Sequence, residues 1–116
     1  VAVAAARAAA ALAGSADVGT VAVIAEESLH PALRPALDAS DATRRRGVET
    51  LDDPVALLSP ASSKGLEFDG VVIVEPGQIV SSGAAGMFAL YIAVTRTTNR
   101  LHVVHTGALP APFERE

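Results

Sequence analysis

Two short stretches of this chain carry side chains suited to phosphates and hydroxyl groups. The first is Ser62-Ser-Lys-Gly-Leu-Glu-Phe68, a polar interruption between two apolar runs. Gly65 there permits close approach of the backbone to a ligand, and Glu67 offers two acceptor oxygens that suit hydroxyls. Read alone, the stretch is equally an ordinary connection between strands. The second is Thr95-Arg96, at the end of an apolar run of helical character. An arginine so placed either complements the negative end of a helix dipole or presents forked donors and a permanent charge to a phosphate in a developing transition state.

Other candidates have plainer meanings. Val71-Val-Ile-Val-Glu75 mimics a Walker B strand, in which an acid after an apolar run holds magnesium, but no G-x-x-x-x-G-K-[ST] accompanies it. Glu75 therefore reads as the end of a core strand. His102 and His105 stand three apart on an expected strand and so face opposite sides, which argues against a shared metal, and His30 is remote from both. No metal site is expected. Arg44-Arg-Arg46 reads as a solvated loop.

The elements that must position these residues follow from local patterning. Val1 to Leu12 is rich in helix formers, with Gly14 as its stop. Gly19 to Ala25 reads as a buried strand. Ser28 is placed to cap a helix from Leu29 to about Ala39, in which Pro31 suits the first turn and Pro35 is awkward. Asp38 to Gly47 reads as a loop, Val48 to Leu51 as a short edge strand, and Val55 to Ser59 as a second buried strand. Val71 to Val74 follows, closed by Glu75-Pro76-Gly77. Over Gly83 to Thr95, Met87, Leu90, Tyr91 and Val94 fall at i, i+3, i+4 and i+7, the pattern of one inward helix face. Leu101 to His105 is a last strand and Gly107 to Glu116 a tail. Strands apolar on both faces that alternate with helices predict an α/β fold with a mostly parallel sheet of about five strands, covered on both sides. Ligands of such sheets gather at the carboxyl ends of the strands, in the loops after Ser59, Val74 and the last helix.

Composition narrows the function further. At 116 residues the chain is the size of one domain, with 24 alanines, 3% aromatic residues and no cysteine. A disulfide scaffold and a cysteine zinc module are thereby excluded. The net charge of −4 argues against a stand-alone nucleic-acid binder. No run approaches the ~20 apolar residues of a membrane span. Val1 to Gly14 lacks a basic leader, and the chain opens on Val rather than Met, so it reads as part of a longer, soluble cytoplasmic protein.

The two polar stretches take on a common meaning through their order. Residues 59–75, with Ser62-Ser-Lys-Gly-Leu-Glu-Phe-Asp69 and the strand Val71–Val74, resemble motif V of the UvrD/Rep-like superfamily 1 helicases. Residues 90–104, Leu90-Tyr-Ile-Ala-Val-Thr-Arg-Thr97 followed by Asn99-Arg-Leu-His-Val-Val104, resemble motif VI of the same family. The resemblance implies that residues 1–116 are a C-terminal RecA-like domain without its own P-loop. ATP and magnesium would be bound mainly by the N-terminal RecA-like domain of the same protein. It implies that Arg96 reaches the γ-phosphate as the catalytic arginine and that Glu67 bonds the ribose, with Gly65 keeping the turn tight. Lys64 falls at the domain interface, while Ser62 and Ser63 fall where relatives face the nucleic-acid backbone. The implied partners are that first domain and, through the parent, single-stranded DNA. Relatives often carry a histidine where Ala61 stands, and motif IV is not recognisable. Glu-Phe-Asp-Gly-Val-Val-Ile-Val-Glu-Pro76 and Arg-Leu-His-Val-Val-His105 look most like the HelD branch, whose members act on RNA polymerase.

Overall fold

The computed structural model describes residues 1–40, 42–43, 55–81 and 85–106. Four strands, β1 (Val21–Ile24), β2 (Val55–Leu58), β3 (Phe68–Val74) and β4 (Thr97–Val104), form one sheet in the order β2-β1-β3-β4. Every pairing is parallel. Val21 is level with Val55 on one side and Gly70 on the other, and Val74 is level with Val104. The sheet was expected to have about five strands, and four stand among the described residues. The Val48–Leu51 strand, the Arg44–Arg46 loop and the tail from Gly107 lie outside the described residues.

Successive side chains of the two central strands alternate between two cores, as a strand's two-residue period requires. Val21, Val23, Ala25, Val72 and Val74 point to one side, where they meet Ala5, Ala9 and Leu12 of α1 (Ala2–Ala13) and Leu33 and Leu37 of α2 (His30–Asp38). Ala22, Ile24, Val71 and Ile73 point to the other, against Ile79 of α3 (Pro76–Val80) and Leu90 and Ala93 of α4 (Gly86–Val94). Val23, Ile24, Val72 and Ile73 are completely buried, each stabilising the fold by about 1.5–3 kcal/mol. The expected α/β architecture, with helices on both faces, is the one observed.

Local details depart from expectation at three helices. The residue that caps the segment before α2 is Glu26, not Ser28. Ser28 lies inside a single 3-10 turn, Glu27–Leu29, and its N–H and hydroxyl both donate to the Glu26 carboxylate, a stronger acceptor than a hydroxyl. Pro31 occupies the first turn of α2, and Pro35 is accommodated inside it on an exposed side. The short helix α3 was not expected. Pro76 starts it with a pre-set φ, directly after Glu75, which adopts a left-handed conformation with φ 51°.

The third departure concerns α4. Met87 and Tyr91 were expected to face inward, but both are exposed, and of that set only Leu90 is fully buried. The inward positions are Gly86, Leu90, Ile92 and Ala93. Where α4 comes closest to α3, at Gly86, only a glycine fits. A Cβ built on Gly86 would stand 1.8 Å from the Val80 carbonyl oxygen.

Candidate functional site

The connection from β2 to β3 is a hydrogen-bonded turn. Ser59 N–H donates to Ser62 Oγ at 2.9 Å, and Ser62 N–H donates back to Ser59 Oγ at 3.1 Å. Ser63 is fully buried, with its N–H on Ser59 O at 3.1 Å and its hydroxyl on Pro60 O at 2.7 Å. The Lys64 N–H donates to Ala61 O, and Leu66 N–H to Ser63 O. Gly65 between them takes φ 78°, the left-handed region that glycine enters without a Cβ penalty. That φ is what favours glycine, since a Cβ built there would meet no heavy atom within 4 Å among the described residues and the space before it is open. Lys64 Nζ sits 5.9 Å from the centre of the Phe88 ring, a cation–π distance that ties the turn to α4. Glu67 is exposed and has no hydrogen-bond partner among the described residues.

Arg96 emerges two residues beyond the end of α4, directly after its cap Thr95. The Thr95 hydroxyl donates to the carbonyls of Tyr91 at 2.9 Å, which also accepts from Thr95 N–H, and of Ile92 at 3.0 Å, turning back onto the helix end. The Arg96 guanidinium donates to Thr95 Oγ1 at 3.2 Å rather than to a carbonyl of α4. Its Nε is buried and finds no acceptor among the described residues. Arginine as a simple helix-end charge accounts poorly for that arrangement. Phe68 N–H donates to Arg96 O at 2.8 Å, and Phe68 is level with Thr97 in the ladder. Glu67 and Arg96 are therefore neighbours, each the last residue before its strand.

Two of the loops named from the sequence, those after Ser59 and after the last helix, hold Glu67 and Arg96. Glu67 and Arg96 stand at the amino ends of β3 and β4. Only Ser59–Ser63 lies at a carboxyl end, that of β2, beside an open cleft of ≈ 210 Å³ lined by Glu26, Glu27, Ser59, Pro60, Ala61, Ile79 and Ala89. Segment 64–68 joins the two ends, running along α4 from Phe88 to Arg96. The face of α4 beside it carries Met87, Phe88 and Tyr91, which are 51%, 60% and 65% exposed. Sequence periodicity misassigned this face.

The remaining candidates have structural partners. The Glu75 carboxylate accepts from Thr106 N at 2.6 Å and Thr106 Oγ1 at 2.7 Å, fastening the end of β3 to the end of β4. His102 is exposed on β4 and His105 is exposed beyond its end, while His30 Nε2 lies 3.0 Å from Ala25 O. At the cleft, hydrogen bonds from the Ser28 side chain and backbone hold the Glu26 carboxyl below its ordinary range, with the charge of His30 a smaller cause. Asp17 is likewise lowered, chiefly by a bond from its own backbone N–H and then by Arg100, its salt-bridge partner at 3.1 Å.

One polar residue of the site carried no role in the sequence. Asp69 interrupts the apolar run of β3, and its carboxylate accepts from Gly19 N at 2.7 Å and from Thr98 Oγ1 at 3.2 Å. A charged residue between Phe68 and Gly70 was the available signal.

No family model matches this chain, and no curated protein does. Among solved structures the chain is similar to the C-terminal domain of a possible DNA helicase from Lactobacillus plantarum WCFS1. The two share 22% sequence identity at a TM-score of 0.66, over 95% of this chain and 70% of the other. At that identity the likeness is one of fold: a parallel α/β sheet layered by helices as in a helicase C-terminal domain.

Proposed function

We propose that this chain is the second RecA-like motor domain of an ATP-dependent DNA helicase or translocase of the UvrD/Rep type. It completes an ATP site whose P-loop half belongs to another domain of the same protein. The observation that carries this reading is the bond from Phe68 N–H to Arg96 O, which sets the last residues of the two motif-like stretches side by side. The residues fit a nucleotide. Arg96 has a buried Nε and Glu67 an exposed carboxylate, both without a hydrogen-bond partner among the described residues, at the starts of neighbouring strands. Bound between the two motor domains, ATP with magnesium would supply a phosphoryl group for transfer to water.

In this reading Arg96 neutralises charge that grows on the transferring phosphoryl group, a role worth about 10³–10⁵ in rate for such arginines. Glu67 accepts hydrogen bonds from ribose hydroxyls, and Gly65 keeps the turn compact. Lys64, held over Phe88, and the exposed face of Met87, Phe88 and Tyr91 meet the first motor domain when the cleft closes. Apolar groups that desolvate the arginine strengthen its pull on a phosphate. Closure and opening with each turnover move the bound strand.

One observation favours a second reading, a HelD-like ATPase that remodels RNA polymerase. Both serines expected to face nucleic acid are engaged within the turn: Ser63 is buried on Pro60 O, and Ser62 Oγ is shared with Ser59. The histidine common in unwinding relatives is here the exposed Ala61. Contacts from this turn to a phosphate backbone are correspondingly few.

The decisive test is steady-state ATP hydrolysis by the full-length parent, wild type against Arg96→Ala, with nucleotide binding measured alongside. Turnover should fall by about two decades or more with binding largely kept. Near-normal turnover would reduce Arg96 to a helix-end charge. Salt-sensitive stimulation by single-stranded DNA separates the helicase reading from the RNA polymerase one, which expects co-purification with core polymerase instead.

A further inference from the structure

The start of β4 does not pair regularly. Phe68 is level with Thr97 and Gly70 with Arg100, so β4 carries one residue more than β3 across this interval, opposite Asp69. Such a bulge re-aims the residues on either side of it and needs partners outside the ladder to hold it. Those partners come from two directions. The Asp69 carboxylate bridges the turn before β1, through Gly19 N–H at 2.7 Å, to the bulge, through the Thr98 hydroxyl at 3.2 Å. Asp69 N–H donates in turn to Thr20 Oγ1 at 3.0 Å. On the far side Asn99 donates to Asp17 O at 3.1 Å and Arg100 pairs with the Asp17 carboxylate. The bulge begins immediately after Arg96, whose own carbonyl is fixed to Phe68.

We infer that Asp69 is a positioning residue for Arg96: by clamping the bulge at Thr98 to the Gly19–Thr20 turn, it sets the direction in which the guanidinium leaves the sheet. The inference rests on the motor-domain reading and adds a residue to it. Asp69 touches no nucleotide in this arrangement and acts through Thr98 and the strand start. Misplacing a catalytic group by about 1 Å costs on the order of a hundredfold in rate.

The test uses the full-length parent and compares wild type, Asp69→Ala, Thr98→Val, Arg96→Ala and the double variant Asp69→Ala with Arg96→Ala, each with kcat, KM for ATP and Tm. Thr98→Val keeps the strand shape and deletes only the hydroxyl, so it serves if Asp69→Ala folds poorly. The expected result is a kcat lowered by about ten- to a hundredfold in Asp69→Ala and by a smaller factor in Thr98→Val, with KM within about threefold of wild type. In the Arg96→Ala background, Asp69→Ala should cost nothing further, because the group it aims is gone. Equal losses in both backgrounds would make Asp69 a merely structural residue and overturn the inference, as would normal kcat in both single variants alongside a slowed Arg96→Ala. Normal turnover in Arg96→Ala itself would instead bring down the motor-domain reading, and the inference with it.

Discussion

Arg96 owes its prospects to small local facts: a helix that ends two residues earlier, a threonine whose hydroxyl turns back to the helix-end carbonyls, and a guanidinium nitrogen left buried without an acceptor among the described residues. At the same scale, Glu26 shows how a neighbouring hydroxyl tunes a carboxylate. Its pKa lies below the ordinary value of 4.5 first because the Ser28 side chain bonds the charged form, and next because the Ser28 backbone N–H does. Depression of a carboxyl in the folded state gives a stabilising contribution that is present above the ordinary value and is lost as pH falls through the depressed one. Ser28→Ala should therefore raise the Glu26 pKa toward its ordinary value and move the acid-side loss of that contribution to higher pH. Carboxyl-resolved NMR titration of both proteins measures this, and an unmoved Glu26 would mean that the backbone bond alone sets it.

Among elements, α3 and α4 decide what the site can present. Alternation along β1 and β3 required covering elements on both faces of the sheet, but the rotation of α4 about its axis depended on α3. Gly86 and Ala93 let α4 sit flat against its neighbours, and that turns Met87, Phe88 and Tyr91 outward beside Lys64. The arrangement makes Gly86 hard to replace. A methyl group there would meet the Val80 carbonyl at 1.8 Å, and backbone atoms cannot step aside as a flexible side chain can. Gly86→Ala should destabilise the protein by about 3 kcal/mol, a shift of several degrees in Tm, although alanine is the better helix former. A variant as stable as wild type in a denaturant melt would show that α3 and α4 are more loosely joined than this packing implies.

On the proposed reading, the molecule as a whole supplies half of a nucleotide site. Glu67 and Arg96 stand at the amino ends of β3 and β4, the chain contains no P-loop sequence, and the α4 face of Met87, Phe88 and Tyr91 has no apolar cover among the described residues. A half-buried arginine and an exposed carboxylate, without the P-loop's donors, contribute little binding, since charges open to water interact weakly and are screened by salt. The chain by itself is expected to bind ATP more weakly than about 1 mM, in the range of −4 kcal/mol, and to hydrolyse none. Isothermal calorimetry on the isolated chain checks this, and a micromolar dissociation constant would contradict the divided-site account.

Much of this protein was written in one dimension. Runs such as Val21–Ile24 and Val71–Val74 are apolar at every position, which by itself demands a strand buried on both faces and hence a layered parallel sheet. Ala2–Ala13 and its Gly14 stop follow from intrinsic propensity, which is a local property. The order of Lys64, Gly65, Glu67 and Arg96 was legible too, because motif-like spacing resides in the chain. Tertiary structure alone decided the rest. The polar starts of β3 and β4 are strands because each supplies the other's backbone partners, a contact between residues some thirty positions apart that local propensity does not encode. The rotation of α4, with Leu90 inward and Met87 and Tyr91 outward, followed from the close approach of α3 at Gly86. The β4 bulge and the Asp69 clamp exist only once residues from three separate segments meet, and that meeting sets where the arginine points.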